Sequence, residues 1–271
     1  MGPIGIFDSG YGGLTVLAKI KNALPNFDYL YLGDNARAPY GNRSFDVVHE
    51  FTWQAVQFLF SQGCPLIILA CNTASAKALR TIQQTQLPLF FPDRRVLGVI
   101  RPSTESIGEW TKSNHVGILG TQGTIQSNSY VIELKKFAPH IKVFQHACPM
   151  WVPLIENNYH ESLAGNEIIA DDIRNLLKMS EKIDTIVLAC THYPLIEQQI
   201  SRIVGPSVRV ISQGEIVASK LEEYLKKHPK ITAETSKKGN TRYFTTEHPS
   251  VFNDKASLFL GEQVLASQVH L

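Results

Sequence analysis

Apolar positions along the chain fall into short runs separated by stretches of helical spacing. Residues 2–7 read as a buried strand. A small-residue turn over 8–13 follows, then a helix over 14–23, where Leu14, Leu17, Ala18 and Ile20 recur at helical intervals. A second strand is expected at 27–32, ending in the turn Gly33-Asp34, and a long helix at 45–62 stops at Gly63. The continuous apolar run 66–70 predicts a third strand, with a helix over 73–84 behind it. Further strands are expected at 96–100, 116–119, 185–189, 208–211 and 242–245, and further helices at 124–137, 166–180, 194–204 and 215–227. Apolar strands alternating with helices predict an α/β fold of mainly parallel sheets flanked by helices on both faces. Ligands of such sheets gather at the carboxyl ends of strands, so the residues just after each strand carry the chemical information.

The two halves of the chain echo each other. Ile4-Gly5-Ile6-Phe7-Asp8-Ser9-Gly10 is a strand entering a small-residue turn, and Val116-Gly117-Ile118-Leu119-Gly120-Thr121-Gln122-Gly123 repeats that pattern. Later in each half, Ile67-Ile68-Leu69-Ala70-Cys71-Asn72-Thr73 parallels Ile186-Val187-Leu188-Ala189-Cys190-Thr191-His192. Two similar lobes are expected, each offering one cysteine at a strand end, with the active site in the cleft between them.

Composition narrows the partners. The 271 residues are 44% hydrophobic and 18% charged, an ordinary globular balance with enough chain for a sizeable core. The formal net charge of +2 is spread thinly, with no Lys/Arg stripe for nucleic acid or an anionic membrane. The amino-terminal residues lack the basic and apolar regions of a signal peptide, and no apolar run approaches the ~18 residues of a membrane span. A cytoplasmic protein with four free thiols is the expectation, since no Cys-x-x-Cys pair marks a zinc or redox motif. The segment 117–123 reads Gly-x-x-Gly-x-x-Gly, not the dinucleotide fingerprint.

Cys64 and Cys148, each preceding a proline, read as small core residues. Cys71 and Cys190 differ, because a helix is expected after each. The unpaired N–H groups and partial positive charge of a helix start should lower a thiol pKa and also bind a carboxylate. Racemisation at a tetrahedral carbon needs proton removal on one face and delivery on the other, and two thiols on facing lobes meet that demand. Asp8, in the same sheet layer as Cys71, and His192, two residues after Cys190, could hold each thiol in the required protonation state. Other readings of the same residues stand beside this one. Asp8 could cap a helix or a turn, His192 could be a buried structural histidine, and Cys190 with His192 could mimic a nucleophile–base pair. A non-catalytic binding protein with inert thiols is a further alternative.

Four motifs resemble bacterial glutamate racemases of the aspartate/glutamate racemase superfamily. They are Gly5-Ile6-Phe7-Asp8-Ser9-Gly10-Tyr11-Gly12-Gly13-Leu14-Thr15, Gly33-Asp34-Asn35-Ala36-Arg37-Ala38-Pro39-Tyr40-Gly41, Ala70-Cys71-Asn72-Thr73-Ala74-Ser75, and Ala189-Cys190-Thr191-His192-Tyr193-Pro194-Leu195. The resemblance implies that Cys71 and Cys190 exchange the proton with help from Asp8 and His192. It implies a glutamate site formed by Asp8, Ser9, Tyr40, Gly41, Asn72, Thr73, Thr191 and His192, with Thr121 and Thr124 nearby. It places Glu156 near the site, a residue that reads equally well as a helix-surface carboxylate. It also implies no pyridoxal phosphate or other cofactor, no metal, a homodimer, and D-glutamate made for peptidoglycan. Of the two lobes, it implies a first at 1–97 completed by 208–271, and a second at 98–207. The chain departs from the family pattern at Asn35, where threonine is common, at Arg101, where an acidic residue is common, and at Ser212-Gln213, which replaces an acidic step.

Overall fold

Strands β1 (Ile4–Asp8), β2 (Tyr29–Gly33) and β3 (Leu66–Leu69) are buried at every position, as their unbroken apolar runs require. With β4 (Arg95–Gly98) they form the middle and one side of a parallel sheet. Strands β5 (His115–Gly120), β6 (Lys142–Ala147), β7 (Thr185–Ala189) and β8 (Arg209–Ile211) form a second parallel sheet, in the order β6-β5-β7-β8. Near the end of the chain, β9 (Thr241–Thr245) and β10 (Ala266–Gln268) return to the first sheet, whose order is β10-β9-β2-β1-β3-β4. The computed structural model describes residues 1–271, the side chain of Leu258 excepted.

Alternate residues of each strand point to opposite faces, and each sheet has a core on both. On one face of the first sheet, Ile4, Ile6, Tyr29, Tyr31 and Ile68 pack on Leu14 and Leu17 of the helix Gly13–Ala23 and on Val217 and Leu221 of the helix Gly214–Lys227. On the other, Phe7, Leu30, Leu32 and Ile67 pack on Val56 and Leu59 of the helix Phe45–Ser61. Leu119, Ile186 and Leu188 cover one face of the second sheet with Ile169, Ile173 and Leu176 of the helix Leu163–Lys178, and Val116, Ile118 and Val187 face Tyr130 and Leu134 on the other.

Several sequence expectations change. The strand at 208–211, expected in the first lobe with the rest of 208–271, instead pairs as β8 with β7 in the second sheet. The chain therefore crosses back at Ser212–Gln213, and the helix that follows, Gly214–Lys227, packs on the first lobe. The expected helix over 124–137 is two helices, Gln122–Gln126 and Ser129–Phe137, broken where Asn128 takes φ 53°. The expected helix over 73–84 is a relay of short turns beginning with the helix Asn72–Lys77. Strand β6 escaped notice because it is an edge strand whose polar Gln145 and His146 break any apolar run. The helix Ile100–Ile107 was hidden by Pro102, which reads as a breaker but lies in the first turn, where its missing N–H costs nothing. Among the described residues, no helix is long and apolar enough to cross a membrane.

Both sheets reverse their winding at the strand that opens them. In the first, β2 and β3 lie on opposite sides of β1; in the second, β6 and β7 flank β5. The crevices this creates lie beyond the carboxyl ends of β1 and β3, and of β5 and β7. Asp8 and Cys71 sit at the first, Thr121 and Cys190 at the second.

Candidate active site

Asp8 ends β1 and is wholly buried. One carboxylate oxygen accepts the Gly10 N–H at 2.9 Å, and the other accepts the Thr191 hydroxyl from the opposite lobe at 3.2 Å. Burial pushes its pKa up, against the pull of the nearby His192 and these hydrogen bonds. A second bridge between the lobes runs alongside, from the Thr15 hydroxyl to the Thr191 carbonyl at 3.0 Å.

Cys71 follows β3 and caps the helix Asn72–Lys77, its sulfur 3.4 Å from the Ala74 N–H and 3.4 Å from the Ser9 hydroxyl. The helix start was expected to lower this thiol's pKa. Instead, burial pushes it up to about 12, with the Asp8 charge adding to the effect and the contacts to Ser9 and Ala74 opposing it. Desolvation penalises the thiolate more than two long sulfur contacts can recover. Cys71 is therefore a neutral thiol at neutral pH.

The second lobe supplies a different environment. His192 Nε2 lies 2.8 Å from a Glu156 oxygen. Burial alone would lower the His192 pKa, but hydrogen bonds to Cys190 and Glu156 outweigh it and raise it to about 10. The Glu156 carboxyl, although partly buried, is held below the usual carboxylate range chiefly by that bond. Of its two readings, the structure favours the one near the site: Glu156 anchors the histidine beside Cys190.

One cavity of about 150 Å³ is bordered by Ser9, Tyr40, Gly41, Cys71, Asn72 and Thr73 from the first lobe, and by Thr121, Glu156, Cys190, Thr191 and His192 from the second. That is well below the roughly 300 Å³ of a pocket for a drug-sized ligand, and it suits one small metabolite. Asp8 stands just behind it, bonded to Thr191. Thr124 also stands behind, its hydroxyl 3.1 Å from that of Thr121. The lobes meet around the rim. The hydroxyls of Thr73 and Thr121 are 2.9 Å apart, and the Gly123 N–H donates to the Gly41 carbonyl at 2.7 Å. Tyr40 borders the cavity but donates its hydroxyl hydrogen to the buried Asp34, so that hydrogen is not free for a ligand.

Sequence reasoning missed Cys148, Pro149, Val152 and Pro153, which complete the wall on the second lobe. Cys148 follows β6, and because β6 was not recognised, its strand-end position was invisible. Its thiol is buried and its pKa is raised well above the ordinary value, first by desolvation and then by Asp172. His146, Cys148 and Asp172 bring potential metal-ligand atoms within 4.8 Å of one another. Both Asp172 oxygens are already engaged, one with His146 Nε2 at 2.8 Å and one accepting the Trp151 indole N–H at 2.7 Å. Hydrogen bonding accounts for the cluster without an ion.

The sequence and the fold have known counterparts. Residues 4–221 match the family model described as Asp/Glu/Hydantoin racemase. A glutamate racemase of Geobacter metallireducens is 40% identical over 260 residues, covering 95% of this chain and 92% of that protein. The crystal structure of a glutamate racemase from Bacillus anthracis superposes with a TM-score of 0.90 at 36% identity, over 100% of this chain and 98% of that one. The glutamate racemase of Francisella tularensis, solved with D-glutamate, gives 0.85 at 31% identity, over 99% and 97%. The chain belongs to the Asp/Glu/Hydantoin racemase family and, within it, to the glutamate racemases, which are isomerases.

Proposed function

We propose that this chain interconverts L- and D-glutamate by passing the α-proton between Cys71 and Cys190 without a cofactor. The observation that supports this most is the small cavity bordered by both thiols, one from each lobe. In one direction Cys190 takes the α-proton as a thiolate while His192, held by Glu156, carries the balancing positive charge. Cys71, kept protonated by burial, delivers its hydrogen to the opposite face. In the other direction the roles swap, with Asp8 beside Cys71. The substrate carboxylate lies against the donors around Asn72, Thr73 and Thr191, and the backbone N–H groups among them also stabilise the charge that builds on the α-carbon in the transition state. The D-glutamate bound in the Francisella tularensis structure supports glutamate over aspartate. On this reading the product serves peptidoglycan synthesis in the cytoplasm, and the active unit is a homodimer.

The deciding measurement is NMR of L-glutamate with the protein in D₂O, with no cofactor added. Deuterium should enter the α-position as D-glutamate accumulates. Absence of both, with aspartate racemised in parallel, would move the substrate assignment.

The His192 environment predicts a pH dependence. Its folded pKa of about 10 lies above the ordinary 6.5, so its proton contributes stability that is complete below pH 6.5 and lost as pH rises through about 10. Thermal or urea melts should show wild type losing stability relative to His192→Gln across that interval. A relative gain with rising pH would reverse the assignment.

A further inference from the structure

The crossing point at Ser212–Gln213 carries a closed ring of side-chain hydrogen bonds behind the cavity. Asn72 Nδ2 donates to Gln213 Oε1 at 2.7 Å, Gln213 Nε2 donates to the Tyr130 hydroxyl at 2.7 Å, and that hydroxyl donates to Asn72 Oδ1 at 2.7 Å. All three residues are buried. They come from three places: the helix start after Cys71, the helix Ser129–Phe137 of the second lobe, and the segment returning to the first lobe.

The direction of the ring is not arbitrary. An amide can be turned end for end at little cost in shape, so something must choose between its two ends. Gln213 Nε2 also lies 3.2 Å from the Val99 carbonyl and 2.7 Å from the Ser103 hydroxyl, which itself donates to Val99 at 2.9 Å. A backbone carbonyl only accepts and cannot flip, so it requires the nitrogen end of Gln213. The oxygen end then faces Asn72 and requires that amide's nitrogen, which leaves the Asn72 oxygen for Tyr130. Asn72 borders the cavity, and the ring uses its oxygen and one of its two amide hydrogens. The second hydrogen remains as its offering to a ligand.

We propose that Gln213 is a positioning residue that orients the Asn72 amide so that it presents a donor, not an acceptor, to the substrate carboxylate. This rests on the reading of the cavity as the amino-acid site. It also gives a role to a position where the chain departs from its family's usual residues. Without Gln213, Asn72 is free to turn its oxygen toward the carboxylate, where two acceptors repel.

A contact held equally in ground and transition states shows in KM and not in kcat. Gln213→Met, similar in length and without donor or acceptor, should raise KM for glutamate about tenfold or more, the usual scale for a lost hydrogen bond to a charged group. Its kcat should stay within about threefold. Tyr130→Phe, which deletes a single ring oxygen but leaves Gln213 Oε1 facing the Asn72 nitrogen, should shift KM less than Gln213→Met does. In an Asn72→Ala background, Gln213→Met should add less than about twofold, because the group it orients is gone. A KM unchanged in Gln213→Met overturns the proposal, as do effects of Asn72→Ala and Gln213→Met that multiply. If Gln213→Met does not fold, the KM of Gln213→Ala, which also leaves the Asn72 amide unheld, decides by the same criterion. Wild-type protein that fails to racemise glutamate in the same assay refutes the functional reading instead, so the two failures are distinguishable.

Discussion

Cys71→Ala and Cys190→Ala should each lose racemisation by at least the roughly 10²- to 10⁴-fold that a positioned acid or base contributes, while keeping complementary halves of the chemistry. With Cys71 removed, Cys190 still faces one side of the α-carbon. It can take a proton from the enantiomer that presents hydrogen to it and return deuterium to the same side. Solvent exchange without inversion should therefore persist for one enantiomer in Cys71→Ala and for the other in Cys190→Ala. Both changes leave folding largely intact, since each removes one sulfur from a wall that already borders empty space. Separate assays of each enantiomer by NMR in D₂O, with optical rotation for inversion, read out both halves. Single variants that invert glutamate at rates near wild type would end the two-thiol account. Exchange of the same enantiomer in both variants would show that the thiols do not act on opposite faces.

Gly12→Ala should cost about a hundredfold in kcat/KM with only a modest change in melting temperature, although residue 12 does not border the cavity. A Cβ there would stand 2.3 Å from the Thr191 hydroxyl and 2.5 Å from His192 Nδ1. Neither neighbour has space to yield. Thr191 is tied to Asp8 and, through its carbonyl, to Thr15, while His192 is tied to Glu156. The added methyl must push the lobes apart or turn the imidazole away from Cys190. A displacement near 1 Å is enough for a loss of that size where reacting groups must be aligned. Full activity in Gly12→Ala would mean that the contact between the opening turn and the Cys190 segment is irrelevant to the chemistry.

The parts of this site legible from the hydrophobic pattern alone share one property: each lies at or just after the end of a strand that is apolar throughout. β1, β3 and β7 have no polar residue to blur the pattern except Asp8 and Thr185 at their ends. Asp8, Cys71 and Cys190 could therefore be placed at strand ends by inspection, and the four motifs attached them to a family. Where strands were amphipathic or at an edge, the same reasoning failed. β6 went unseen, and Cys148 with it. The helix Pro249–Leu260 and β10 were also missed, although β10 completes the first sheet and the helix adds Phe252 to its core.

What the chain's local pattern determined by itself was the inventory: parallel strands, the residues that follow them, and a thiol in each half. Tertiary structure alone decided how those residues behave. Whether Cys71 holds or loses its proton depends on how completely other segments exclude water from it, and burial overrides the helix start that sequence suggested. The charge on His192 depends on Glu156, thirty-six positions earlier in the chain. The orientation of Asn72 depends on Gln213, one hundred and forty-one positions away, and ultimately on one carbonyl at Val99. Desolvation and hydrogen-bond direction are properties of what surrounds a group in space, and neighbours that far apart in sequence leave no periodic trace in it.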